Sequence, residues 1–403
     1  MAVFTRNTRH FSASIIRRRV VDDKLPKQQG ALAPEDLDPT PPSAQNWGVL
    51  TWWTFWLSAV ADPASWQTGA SIIPLGLSWR DAITILFVGN IIIAIPIILN
   101  GVIGSKLRIP FAIAARASFG VYFSIFAIVS RIVLAWFWFG IECYNGGSVV
   151  SQMLRAMSPS YDNILNYPES VGISTKDMCS YFLYAVIQLG FLCISPSLRY
   201  FLAAKTMIVP AVSFGMMGYL VHKAGGGGSL ISQKSTLSGS AYTSAWLLCF
   251  AAIQGTRSQL TQLPAIPICG LFITVCGIVR ASASQVIYGE ALWSPFDILA
   301  PWSYRTAGSI GSNITANSVS TANDLTSLFP RYMNLKRGQL VTALIGGWSM
   351  VPWKVLATGE TFLTFMSSYS VIMGPISALT ADYWFVKRGA YDVKALYDPH
   401  GIY

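Results

Sequence analysis

Ten apolar runs follow one another along this chain, and most approach the roughly 20 residues that carry a helix across a ~30 Å hydrocarbon layer. They cover approximately residues 48–77, 82–104, 121–151, 179–197, 200–222, 242–255, 262–282, 304–323, 338–356 and 361–386. In lipid a backbone must satisfy its own amides and carbonyls, and the runs lack the ten-residue alternation of a barrel, so each reads as a helix. Only 11% of residues are charged and 53% are hydrophobic, with a mean hydropathy of +0.47, whereas soluble domains carry about 25% charged residues. Too few charges are present to cover several water-facing surfaces, which excludes a soluble globular chain. The sequence predicts an all-α integral membrane protein of about ten helices. The sixth run is the weak one, because about 15 residues at 1.5 Å each reach only some 22 Å.

The formal net charge of +10 comes from 28 Lys+Arg against 18 Asp+Glu. With the N-terminus inside and the connections alternating, 19 basic residues fall on the inner side and eight on the outer, while Arg131 lies within a span. That bias predicts a cytoplasmic N-terminus, and ten spans return the C-terminus to the same side. The charge is therefore topological. No basic helix or aromatic RNA-binding strand accompanies it, so the expected partner is the lipid bilayer and not nucleic acid. Residues 1–46, with Pro39, Pro41, Pro42 and an acidic patch from Glu35 to Asp38, lack the apolar segment of a cleavable signal and read as a disordered cytoplasmic tail. Residues 47–386 form the transmembrane domain, and 387–403 read as a cytoplasmic C-terminal tail. Six cysteines without CxxC spacing and three dispersed histidines give no metal site or disulfide framework, and no cofactor is expected.

The interruptions within the runs are more informative than their hydrophobicity. Asp62-Pro63 puts a charge and a helix breaker near the middle of the first run. A broken helix frees backbone groups that a membrane tolerates only around a protein-lined cavity, and an ionisable group at that depth is a candidate for coupling or gating. A plain proline kink is the alternative. In the third run Trp138 and Glu142 are four residues apart and share a helix face. An indole plane with a polar group one turn away can stack a flat heterocycle and bond its edge; interfacial aromatic packing is the alternative. The eighth run, Gly308 to Asp324, is too polar to face lipid. Its Asn313 and Asn317 are one turn apart, and their amides suit the alternating edge of a uracil-like or hydantoin-like ring. Ser312 beside them could coordinate a cation through oxygen. A Ser/Asn helix packed closely against its neighbours is the competing interpretation.

These residues carry a resemblance. Asn46-Trp-Gly, Trp66-Gln67-Thr-Gly-Ala, Gly76-Leu-Ser-Trp79-Arg, Arg116-Ala-Ser-Phe-Gly120, Trp138-Phe-Gly140 and Tyr288-Gly-Glu-Ala-Leu-Trp-Ser-Pro295 follow in order. After them come Asn313-Ile-Thr-Ala-Asn317-Ser-Val-Ser-Thr-Ala-Asn323-Asp324, Leu328-Phe-Pro-Arg-Tyr332 and Asp382-Tyr-Trp384. From about Asn46 to Trp384 the chain resembles the nucleobase:cation symporter-1 family, and within it the fungal and plant uracil/allantoin permease (Fur-type) branch. The resemblance implies a five-plus-five inverted repeat, the sodium-coupled amino-acid transporter (LeuT-like) fold. Its broken first and sixth helices offer dipole ends and free carbonyls at the bilayer midplane. It further implies that Trp138 stacks the ring, Glu142 and Asn317 bond its edges with Asn313 nearby, and Ser312 helps to hold a coupling cation, H+ or Na+. A plasma-membrane location is implied in the same way.

Three departures qualify these expectations. The family usually has glutamine at the position of Glu142, and an ionised carboxylate only accepts hydrogen bonds; burial favours its protonated form, which can also donate. After Gly255 a stretch on the order of 20 to 25 residues, expected to form half of the sixth helix, is absent relative to the resemblance, which accounts for a run too short for the bilayer. At Tyr403 the chain stops where two further family helices are expected. The expected function is a proton- or cation-coupled symporter of a nucleobase-like solute such as uracil or allantoin, working by alternating access, and not an enzyme. The alternatives are a truncated, non-transporting membrane relative and a transporter of a cationic heterocycle of the thiamine or nicotinamide riboside type.

Overall fold

The first apolar run does not form one helix. α1 (Val49–Val60) stops at Ala61, and α2 (Pro63–Ala70) restarts after Asp62. Pro63 at the first helical position sets φ without sacrificing a needed donor. The Asp62 carboxylate accepts from the Ser65 backbone N–H at 2.7 Å, capping the second half. The computed structural model describes residues 37–39, 48–164, 172–193, 198–228, 234–252, 262–299, 317–376 and 378–398. No strand occurs among them.

α3 (Trp79–Leu107) opens with a capping box in which Ser78 Oγ accepts from the Asp81 N–H and the Asp81 carboxylate accepts from the Ser78 N–H. It closes at Arg108, which takes a left-handed conformation just before Pro110. A short α4 (Phe111–Ala114) leads into α5 (Arg116–Met157), which is 42 residues long. Gly120, at φ 70° and ψ 170°, is not helical and takes a conformation that needs a residue without Cβ, so residues 116–119 and 121–157 are two helices meeting at a kink. The helix of the third run starts at the expected 121 and reaches Met157, beyond the expected end at 151. α6 (Thr175–Cys193), α7 (Leu198–Lys223), α8 (Gly239–Ala252), α9 (Gln262–Tyr288), the short α10 (Pro295–Leu299) and α11 (Val319–Leu328) follow. α12 (Leu335–Val341) runs on through a wider turn at Thr342–Gly346 into Gly347–Ser349. α13 (Pro352–Val355), α14 (Gly359–Ile376) and α15 (Ala378–Ala381) complete the order.

Among the described residues, three helices are long and apolar enough to cross a membrane by length and composition: Trp79–Leu107, Arg116–Met157 and Ile266–Tyr288. The stretch expected to lack half of the sixth helix falls at 253–261, outside the described residues. The packing is inverted relative to a soluble domain. Phe87, Ile91 and Ile95 on one stripe of α3, and Phe126, Val129 and Val133 on α5, point outward, while Arg131, Glu142 and Asn145 of α5 are buried. Lipid is the solvent that makes such a surface stable.

Three basic residues assigned to connections by the charge count are buried instead, Arg116 at the start of α5 and two within other helices. Lys205 in α7 is 6% exposed and Arg280 in α9 is 0% exposed. Arg280 stacks its guanidinium on the Trp66 ring and donates to the Ser213 carbonyl at 2.9 Å, which ties α9 to α2 and α7. In a separate cluster, Leu37 is buried with Tyr391, Leu396 and Tyr397 against Ile109 and Ile113. There Tyr397 Oη donates to the Leu37 carbonyl at 2.7 Å and Arg116 to the Leu396 carbonyl at 3.1 Å.

Candidate functional site

Behind the helix break, α2, α5 and α7 bring their polar groups together. Trp138, Glu142 and Asn145 on α5 follow at spacings of four and three residues and so share a face. Glu142 is 2% exposed, and its Oε2 has no hydrogen-bond partner. Asn145, fully buried, exchanges amide bonds with Gln67 of α2: Gln67 Nε2 donates to Asn145 Oδ1 at 3.4 Å and Asn145 Nδ2 donates to Gln67 Oε1 at 3.5 Å. Both bonds are long for amide hydrogen bonds. Trp138 meets Phe137 edge-on with centroids 5.9 Å apart and packs only partly into the cluster of Ile72, Leu77, Phe137 and Phe362. Part of its ring surface is left uncovered.

Charge gathers at the same level. Lys205 lies within electrostatic range of both Asp62 and Glu142, and the two carboxylates lie within range of each other. Thr206, the next residue, donates to the Thr54 carbonyl at 3.1 Å and so docks this part of α7 on α1. Asp62 is partly satisfied by its capping bond and by the positive end of α2. Glu142 lies in the middle of α5, away from the ends of its own helix. Among the described residues two carboxyl groups face one ammonium, so with both ionised one negative charge is left for a proton or a bound cation to balance, because an uncompensated charge is costly away from water.

Of the residues singled out by sequence, Asp62, Trp138 and Glu142 occur on this constellation of α2 and α5. Asn317 stands just before α11, half-buried, with its carbonyl accepting from Thr321 Oγ1 at 2.8 Å. Ser312 and Asn313 lie outside the described residues. Lys205, Gln67 and the role of Asn145 were not anticipated. Lys205 carried the same signal as Asp62, an ionisable residue inside an apolar run. The Gln67–Asn145 pair spans 78 residues and had no local signal.

A family profile described as a permease for cytosine/purines, uracil, thiamine and allantoin matches residues 39–403. An uncharacterized permease of Schizosaccharomyces pombe is 32% identical over 91% of this chain and 72% of its own length. The uridine permease of Saccharomyces cerevisiae is 30% identical over 91% of this chain and 64% of its own. Among solved structures, Mhp1, a nucleobase-cation-symport-1 family transporter in a closed conformation with bromovinylhydantoin bound, matches with a TM-score of 0.71. The match covers 92% of this chain and 85% of that one at 19% identity, so it is the fold that the two share. Transporters of this kind are not enzymes. With the profile matching nearly its whole length, this chain belongs to the nucleobase:cation symporter family of membrane permeases.

Proposed function

We propose that the chain is a secondary active symporter that carries a planar, nucleobase-like heterocycle across the membrane by alternating access, coupled to a proton or another cation. In this reading Trp138 stacks the ring, Glu142 bonds one edge, and Asn317, with Asn313, bonds another; Ser312 contributes an oxygen to the coupling cation and Asp62 takes part in coupling or gating. The observation that carries it is the buried, partnerless Glu142 Oε2 one helical turn from a partly uncovered Trp138, beside the break between α1 and α2. An orphaned polar atom in such a place has an unmet demand for a hydrogen bond or a counter-charge. A bound solute edge or a proton supplies it.

The unbalanced carboxylate supports a second version of the same reading, in which the solute is itself cationic, of the thiamine or nicotinamide riboside type. The ten-span, five-plus-five architecture, both termini in the cytoplasm and a plasma-membrane location belong to the proposal, supported by the inner-side excess of Lys and Arg and by the family. Glu142→Gln keeps size and edge-bonding capacity but removes the charge. In a permease-deficient cell, labelled uracil, allantoin, thiamine and nicotinamide riboside are supplied across a range of external pH. If Glu142 carries the coupling proton, the variant flattens the pH dependence of uptake. If it is the counter-ion of a cationic solute, affinity for that solute falls about tenfold or more while neutral solutes gain. An unchanged solute preference together with an unchanged pH profile contradicts both versions.

A further inference from the structure

The buried ion pair between Arg131 of α5 and Asp324 of α11 is not used by the proposed site, and it is built with care. The two side chains are 5% and 0% exposed, and Arg131 Nε and Nη2 each donate to a different carboxylate oxygen. The guanidinium also lies over the Phe111 ring, 4.2 Å from its centroid. Pairs like this add little net stability, because removing both charges from water offsets their attraction; their best-attested use is to fix the register of one helix against another.

The register can be followed from contacts around the pair. Ile128 and Ile132 of α5 pack with Leu325 of α11 in one cluster. On the next helix, Gly338 of α12 lies against Ala322 of α11, whereas Gly346 lies against Trp136 and close to Gly140 of α5. Eight residues along α12 therefore lead from the level of Ala322 to the level of Trp136 and Gly140. The short connection 329–334 makes α11 and α12 an antiparallel pair, and α12 runs the same way as α5 from Gly338 to Gly346, so α11 is antiparallel to α5. From Arg131, seven residues up α5 lead to Trp138. From Asp324, seven residues back, along α11 to Val319 and through the helical turn that precedes it, lead to Asn317. Seven residues are about two turns and about 10.5 Å of rise, which returns each chain to its starting face. The intervening positions on these faces, Ala135 and Thr321, are small and buried.

We propose that the Arg131–Asp324 pair is a positioning clamp: it sets the depth of α5 against α11 so that Trp138 and Asn317 meet a solute from opposite sides at one level. This rests on Trp138 and Asn317 being solute contacts. The clamp acts through them and touches no solute itself.

The test uses the full chain purified in detergent and a panel of labelled uracil, uridine, allantoin, thiamine and nicotinamide riboside. Binding constants and melting temperatures are measured for three variants. Arg131→Met with Asp324→Leu replaces the pair by apolar side chains of similar bulk, a change that folds tolerate well. A clamp predicts a nearly unchanged melting temperature with solute affinity about tenfold or more weaker and discrimination among the panel reduced. Arg131→Asp with Asp324→Arg restores a pair in reverse and is expected to recover affinity to within a few-fold. Trp138→Ala is measured alongside. If the apolar pair binds like the native chain, or loses its fold, the pair is a stability element and the clamp is overturned. A reversed pair that binds no better than the apolar pair also overturns it. If Trp138→Ala binds as the native chain does, or the native chain binds none of the panel, it is the underlying site that fails.

Discussion

Trp138→Ala is expected to weaken solute binding about tenfold to a hundredfold while leaving the amount of folded protein close to native. Stacking a base on an aromatic ring contributes roughly 1–3 kcal/mol by alanine substitution, and 1.4 kcal/mol is a factor of ten. The folding cost is small because the ring is only partly buried. Its neighbour supplies the contrast. Phe137 is 1% exposed and stacks on Phe365 with centroids 3.7 Å apart, so Phe137→Ala opens a cavity and costs about 3–5 kcal/mol of stability. Adjacent residues should thus separate cleanly, one in a binding assay and the other in a melting curve. Trp138→Phe, which keeps a π face, should retain most of the affinity.

The second large effect is expected at Gly277. A Cβ placed there comes within 2.6 Å of the Trp66 carbonyl oxygen and 2.7 Å of its ring, and one at Gly69 comes within 2.6 Å of the Thr274 carbonyl. The backbones of α2 and α9 approach each other through these two glycines, as small residues allow in membrane bundles. A methyl group forces α2 to move, and overpacking of this kind costs about 1–3 kcal/mol. Displacing α2 also strains the Gln67–Asn145 bonds, already 3.4 and 3.5 Å long. Gly277→Ala is therefore expected to lower both the melting temperature and the solute affinity, and Gly277→Val to leave little folded protein in size-exclusion chromatography. Gly215→Ala is the control: nothing lies within 4 Å of the added carbon, and helix propensity there favours alanine by up to about 1 kcal/mol.

How much of this was legible in the sequence depends on whether the cause was local. The break at Asp62 was, since a proline preceded by a side chain that caps helix starts has a meaning independent of the rest of the chain. That Trp138 and Glu142 share one face of a helix was legible because a spacing of four defines a face. Lys205 and Arg280 were misassigned to connections because a basic residue near the edge of an apolar run looks the same whether it points to water or into the bundle. What decides is the partner: two carboxylates on other helices for Lys205, and the Trp66 ring for Arg280. The Arg131–Asp324 pair joins residues 193 positions apart and had no sequence signal beyond the presence of each charge inside a span. The C-terminal end of the third helix escaped too, because the helix runs on to Met157 through polar residues such as Gln152 and Arg155, where the apolar pattern fades.

The central claim is that this chain itself moves a planar heterocycle through a site containing Trp138, and counterflow tests it most directly. Purified protein is reconstituted into vesicles preloaded with unlabelled uracil, uridine, allantoin, thiamine or nicotinamide riboside, and the matching labelled solute is added outside. The account predicts transient accumulation of label for at least one of the five, lost in Trp138→Ala. No accumulation of any of them, or accumulation that Trp138→Ala leaves intact, would contradict it.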